Sequence, residues 1–241
     1  MNRQSNTYTV IYASVLVLVV GIVLSVVYQQ LRPLQVDNIN NDTKRQILLA
    51  ARITAEPGQN ISELYDQYIT SSFIVNAEGD KVDSDVQAFD VNVSEQVKKP
   101  ADERLLPVFE CKTDNGVKYI LPCYGAGLWG PIWGYVAFDD NGDTIYGAYF
   151  AHQGETPGLG AEIEKPAFQD QFQGKNVFGA NGDFQSVAVS KVGQEPADRS
   201  YVHAISGGTI TSQGVQKMLL KSLEAYSGFL KKLGGNTNDN N

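Results

Sequence analysis

The sequence predicts an α+β chain, with one N-terminal transmembrane helix followed by an antiparallel sheet packed by helices. Three observations predict it. Tyr8 to Tyr28 carries no charge and is rich in Val, Leu and Ile. Between Pro107 and Ala151, short β-branched and aromatic runs alternate with turn signals such as Asn115-Gly116. Near the C-terminus, Val215, Leu219, Leu223, Tyr226, Leu230 and Leu233 recur at helical spacing.

Composition agrees with a chain that folds around a real interior. Of 241 residues, 42% are hydrophobic and 19% charged, which excludes a disordered chain. Lys and Arg number 19 against 27 Asp and Glu, a formal net charge of −8. With no basic stripe, nucleic acid is not an expected partner. The two cysteines, Cys111 and Cys123, cannot make a disulfide scaffold, and with two histidines no zinc-ligand spacing arises.

Taken in order, the uncharged run comes first. As a helix it is about 31 Å long, matching a bilayer core of about 30 Å. Tyr8, Tyr12 and Tyr28 sit where aromatic belts lie. The run exceeds the apolar core of a signal peptide, and Tyr28-Gln-Gln-Leu-Arg32 has no small-x-small cleavage site, so residues 1–30 read as an uncleaved anchor. Arg3 on one flank and Arg32 on the other leave the positive-inside rule tied.

Residues 31–106 read as a helical and mixed accessory region. Asp42 to Ala55 is predicted as a helix stopped by Pro57-Gly58, and Ile61 to Tyr68 as a second, short one. Ser72 to Asn76 with Gly79-Asp80 reads as a strand and its turn, and the polar stretch from Val82 to Asp102 as a loop or edge excursion.

Residues 107–235 read as the principal domain. Val108–Thr113 and Val117–Tyr124 form a hairpin turning at Asn115-Gly116, which sets Cys111 opposite Ile120 and away from Cys123. Ile132–Phe138 and Ile145–Ala151 form another hairpin. Its loop, Asp139-Asp-Asn-Gly-Asp143, lacks the spacing and terminal Glu of a calcium loop and reads as a solvated turn. Phe184–Val192 and Tyr201–Ile205 add strands. Thr211-Ser212 is the expected N-cap of the last helix, with Lys231 and Lys232 near its C-terminal end, Gly234 at C′ and a polar tail, 236–241, beyond.

Three glycine-rich segments carry the candidate chemistry. Ser206-Gly-Gly-Thr-Ile-Thr-Ser-Gln-Gly-Val-Gln216 lies between a strand and that helix. Its glycines allow close backbone approach, and the helix start offers unpaired N–H groups and partial positive charge, a natural phosphate seat. Read alone, with no Walker lysine or GxGxxG present, it is better taken as an ordinary glycine turn with a Ser/Thr cap. Gly125 to Gly134 gathers glycines and both tryptophans, which wall a flat ring or simply pack a core. Gly154 to Ala161 adds a carboxylate and a hydroxyl.

Taken together, Ser206-Gly-Gly-Thr-Ile-Thr-Ser, Glu155-Thr-Pro-Gly-Leu-Gly and Gly127-Leu-Trp-Gly-Pro-Ile-Trp-Gly-Tyr resemble the FMN-binding domain family, most closely the C subunits of sodium-pumping NADH:quinone reductases. The resemblance implies FMN joined through its phosphate to Thr209 by a separate flavin transferase. It implies a carrier that relays electrons inside a multi-subunit redox pump, the soluble domain standing on the periplasmic side of the bacterial inner membrane. Ser206, Gly207, Gly208 and Thr211 are then expected around the phosphate. Glu155 and Thr156 would meet the flavin's polar edge or ribityl chain, Leu159 and Gly160 its face, Leu128 and Trp129 its ring. Lys191 would offset charge at the N1/O2 edge. The chain departs from the family at Gly208, where Ala is usual, and at His203, where Asp is common. A sister class, the G subunits of Rnf-type ferredoxin:NAD⁺ complexes, shares this chemistry. A third reading is an anchored binding module without enzymatic role, whose glycine turns are only structural. No dinucleotide fingerprint is present, so NADH binding is expected to fall to partner subunits.

Overall fold

The computed structural model describes residues 6–238, so Arg3 and the last three residues of the expected polar tail lie outside it. The chain forms two compact units, Met1–Thr43 and Lys44–Asn241. Helix α1 runs from Asn6 to Ala50 and contains a stretch long and apolar enough to cross a membrane, none of it buried. The separate helix expected from Asp42 to Ala55 does not exist. The polar stretch around Pro33 continues as helix instead, since a proline removes only one ladder bond. The helix ends five residues earlier than expected, at a turn where Arg52 takes a positive φ of 59°.

In the second unit, α2 (Ile61–Tyr68) opens where expected, with Asn60 Oδ1 accepting the Ser62 N–H at 3.0 Å. Strands β1 (Ile69–Val75) and β2 (Lys81–Val82) follow, then α3 (Val93–Gln96) within a stretch of short turns. Next come β3 (Leu106–Thr113), β4 (Gly116–Ala126), β5 (Pro131–Phe138) and β6 (Ile145–His152). These six strands make one antiparallel sheet in the order β2-β1-β3-β4-β5-β6. Because β1 pairs with β3, the expected accessory region 31–106 supplies two strands to the sheet of 107–235.

The β3–β4 turn differs from expectation. Thr113 pairs with Gly116, so Asp114-Asn115 are the turn residues and Cys111 faces Lys118, not Ile120. The Thr113 hydroxyl, donating to the Gly116 carbonyl at 2.9 Å and accepting the Asn115 N–H at 3.2 Å, holds that alternative closed. The shift is two residues, so every side chain keeps its face. Buried Lys118 is satisfied by Asp139 at 2.7 Å and the Asn115 carbonyl at 2.6 Å. In the loop read as a solvated turn, Asp143 Oδ1 accepts the N–H groups of Val177 and Phe178, both at 2.9 Å.

After α4 (Pro166–Gln169), two short strands, β7 (Ala188–Ser190) and β8 (Tyr201–His203), pair in parallel as a sheet of their own. The longer strands expected there do not form. Helix α5 spans Thr209–Ala225 and α6 spans Ser227–Asn238. The single last helix of the sequence reading is thus broken at Tyr226, whose backbone (φ −90°, ψ 1°) leaves the helical ladder. Its buried hydroxyl donates to the Pro107 carbonyl at 2.9 Å. Gly234, expected at C′, lies inside α6, and Lys232 reaches Asp80 at 2.6 Å rather than the helix end.

Each sheet face has its own core. On one, Leu121, Val136, Phe138 and Phe150 pack against Val215, Leu219, Leu223 and Leu230 of α5 and α6. On the other, Phe109, Ile120 and Ala137 pack against Ile47, Leu48 and Ala50, with Leu64 and Tyr65 of α2. The cysteines are free, buried, and divided between the faces, Cys123 in the first core and Cys111 in the second.

Candidate functional site

At one end of the α5 face, three loops meet: the β4–β5 turn, the segment after β6, and the β8–α5 connection. Their centre is the carboxylate of Glu155, almost wholly buried. Its Oε1 accepts the N–H groups of Leu128 at 2.8 Å and Trp129 at 2.9 Å, and its Oε2 accepts the Thr211 hydroxyl at 2.5 Å. A buried carboxylate requires such donors, and these come from the β4–β5 turn and the first turn of α5. Burial opposes its ionisation, but the Thr211 hydroxyl and the two backbone N–H groups outweigh that, and His152 adds to them. The carboxyl lies below its ordinary range. Gly160 passes so close that a Cβ there would overlap both Glu155 and Thr211.

Glu155 and Thr211, both expected beside the ligand, bind one another through their polar atoms. Thr211 and Ser212 are not the helix cap, because α5 already starts at Thr209, behind Gly208. Ser212 Oγ turns back to accept the Ile205 N–H at 3.0 Å, fastening the connection to the helix.

Thr209 is the first helical residue and is half-buried. Gly208 brings no side-chain cap, so the opening N–H groups of α5 stay available to an anion. Gly207 has φ +74°, the left-handed region, and a Cβ there would strike Leu159 Cδ2 at 2.6 Å. These features fit a phosphate group. Thr209 and Lys191 line the same depression of about 260 Å³, with Ser190, Gln194 and Gln213. Of the remaining candidates, Leu128, Trp129, Leu159 and Thr156 are exposed around the bracket, and Ser206 is exposed before the glycines.

Two supports were not legible in sequence. His152 Nδ1 accepts the Glu155 N–H at 3.1 Å, and Gln216 Oε1 accepts the Val189 N–H at 2.8 Å, tying β7 to α5. No spacing rule points to either. The departure at 203 is exposed, with His203 Nδ1 3.9 Å from Glu195.

Together, fold and site define a flavin-domain protein: residues 127–224 match the family model of the FMN-binding domain, in a chain opened by a long apolar helix. The C subunit of the Na⁺-translocating NADH-quinone reductase of Vibrio vulnificus is 33% identical over 215 residues, covering 83% of each chain. The Pseudomonas aeruginosa C subunit is 31% identical over 242 residues, covering 90% of this chain and 91% of that one. The crystal structure of the C subunit from Parabacteroides distasonis superposes with a TM-score of 0.77 at 46% identity, covering 83% of this chain and 96% of that one. Shewanella oneidensis NqrC gives 0.68 at 27% identity, covering 81% and 98%. The chain belongs to the family of NqrC, the C subunits of Na⁺-translocating NADH-quinone reductases, which are oxidoreductase complexes.

Proposed function

We propose that this chain is the FMN-carrying C subunit of such a reductase, with the flavin phosphate esterified to Thr209. The observation that carries the reading is the Thr209 hydroxyl at the first residue of an uncapped helix, behind Gly207 and Gly208. In a reaction run by a separate flavin transferase, the Thr209 Oγ–P bond forms as a P–O bond of the flavin donor breaks, and the displaced part of the donor leaves with the proton given up by the hydroxyl. Bound FMN supplies the ability to take and pass electrons, which the residues of this chain lack. The helix start and the glycines hold the phosphate. The bracket around Glu155 fixes the backbone of the loop bearing Leu128 and Trp129, whose side chains border the ring together with Leu159. Lys191 places positive charge beside the same depression as Thr209 and favours the reduced flavin.

In this reading residues 1–30 are the membrane anchor, 31–106 the accessory region, 107–235 the FMN-binding domain and 236–241 a polar tail. The domain relays electrons to and from other subunits on the periplasmic side of the bacterial inner membrane. Co-expression with a flavin transferase tests the attachment. Thr209→Ala should abolish in-gel fluorescence of the denatured chain, while Thr211→Ala keeps it. Peptide mapping that places FMN on another residue would defeat the assignment.

A further inference from the structure

Beside the bracket, a groove of about 880 Å³ is lined by Tyr124, Trp129 and Met218, with Gly214 of α5 and Val97 just after α3. Trp129 is 70% exposed, a large aromatic left in water, yet its backbone is immobilised by Glu155 and by the tight turn in which the Gly127 N–H donates to the Gly130 carbonyl at 2.8 Å. An exposed tryptophan on a rigid turn adds contact area on docking while losing little freedom, the property of residues that dominate protein interfaces. Around the groove stand Arg104, Lys217 and Lys221 against the single carboxylate of Glu224. None of the three cations makes an ion pair among the described residues, although the chain as a whole is acidic, at −8. Arg104 donates through Nε to the Lys99 carbonyl at 2.9 Å and through Nη2 to that of Val97 at 3.2 Å, so its charge is fixed at the groove wall.

We propose that this groove is the docking site for an acidic segment of a partner subunit, with apolar side chains against Met218 and Trp129 and carboxylates against Arg104, Lys217 and Lys221. The proposal rests on the functional reading above and deepens it. It names the face of the domain and the chemistry of the partner. Opposite charge steers and orients such a contact, while the tryptophan anchors it. Trp129 also belongs to the loop that borders the flavin seat, so a segment seated here ends beside the cofactor. That is where an electron partner has to be.

The experiment uses the intact membrane complex. Lys217→Glu combined with Lys221→Glu should lower co-purification of this chain with its partners by about tenfold or more at low salt, and the difference from the parent should shrink as salt rises. Trp129→Ala should weaken retention at every salt concentration. A photo-crosslinking side chain at position 221 should give an adduct with a partner protein of the complex, mapped to an Asp/Glu-bearing segment. Covalent flavin fluorescence is read on the same gels. If the charge-reversed chain stays labelled and stays in the complex at low salt, or if the crosslink goes to lipid, the docking proposal is overturned. If the parent chain carries no covalent flavin, the functional reading itself fails, and the two failures are told apart on one gel.

Discussion

The two faces of the six-stranded sheet are both buried, but different forces organise them. The face against Ile47, Leu48 and α2 is closed by shape and apolar contact around Phe109, Ile120 and Ala137. The face against α5 has the larger apolar core, but at its loop end the packing gives way to one buried carboxylate joining three chain segments. Apolar contact falls away gradually when a side chain is trimmed. A satisfied buried charge does not, since removing it strands every donor that faced it. The proposed cofactor seat is built on the second kind of interaction, which fixes loop geometry more tightly than packing does.

The sharpest way to break this comparison is Glu155→Ala. It leaves the Leu128 and Trp129 N–H groups and the Thr211 hydroxyl without an acceptor, and should cost about 2–3 kcal/mol in denaturant unfolding. A loss below about 1 kcal/mol would mean the bracket is incidental to packing.

The acid response sharpens the same point. The folded-state pKa of Glu155 is depressed, so its stabilisation is complete above the ordinary glutamate value of about 4.3 and is lost as pH falls through the lower folded value. Unfolding midpoints measured from pH 6 downward should therefore drop more steeply for the parent than for Glu155→Gln. Parallel curves would place the acid sensitivity elsewhere.

The smallest effect belongs to the other face. Ile47 is fully buried, and Ile47→Val should cost only about 0.5–1.5 kcal/mol while leaving the flavin labelling proposed for Thr209 unchanged. Loss of label in that variant would show that the two faces are not independent.

Much of the architecture is written in local pattern. The spacing from Val215 to Leu230 marks the buried stripe of α5 and α6, and Ile61–Tyr68 is an element with its cap in front of it. What local pattern missed has physical reasons. The residues between the anchor and Asp42 carry no helical signal in the sequence reading, yet α1 passes through them, Pro33 included. The strands after Phe184 are short because β7 and β8 pair only with each other. At the site, the sequence brought Glu155, Gly160, Leu128, Trp129 and Thr211 forward as candidates, and the structure puts them together. It could not say that Glu155 and Thr211 face each other. That pairing spans 56 positions and is set by tertiary packing, as is the acceptor role of His152.

The placement of the two thiols has a practical outcome. Burial pushes Cys111 up to about 11, against a small opposing pull from Lys118, and Cys123 up to about 12, against a bond to Ser222. At neutral pH neither exposes a thiolate to alkylating or oxidising reagents. The native chain is therefore a silent background for maleimide chemistry. A cysteine placed on an exposed position such as Leu220 would be the one site of this chain that takes a spin label or fluorophore, without first removing its natural cysteines.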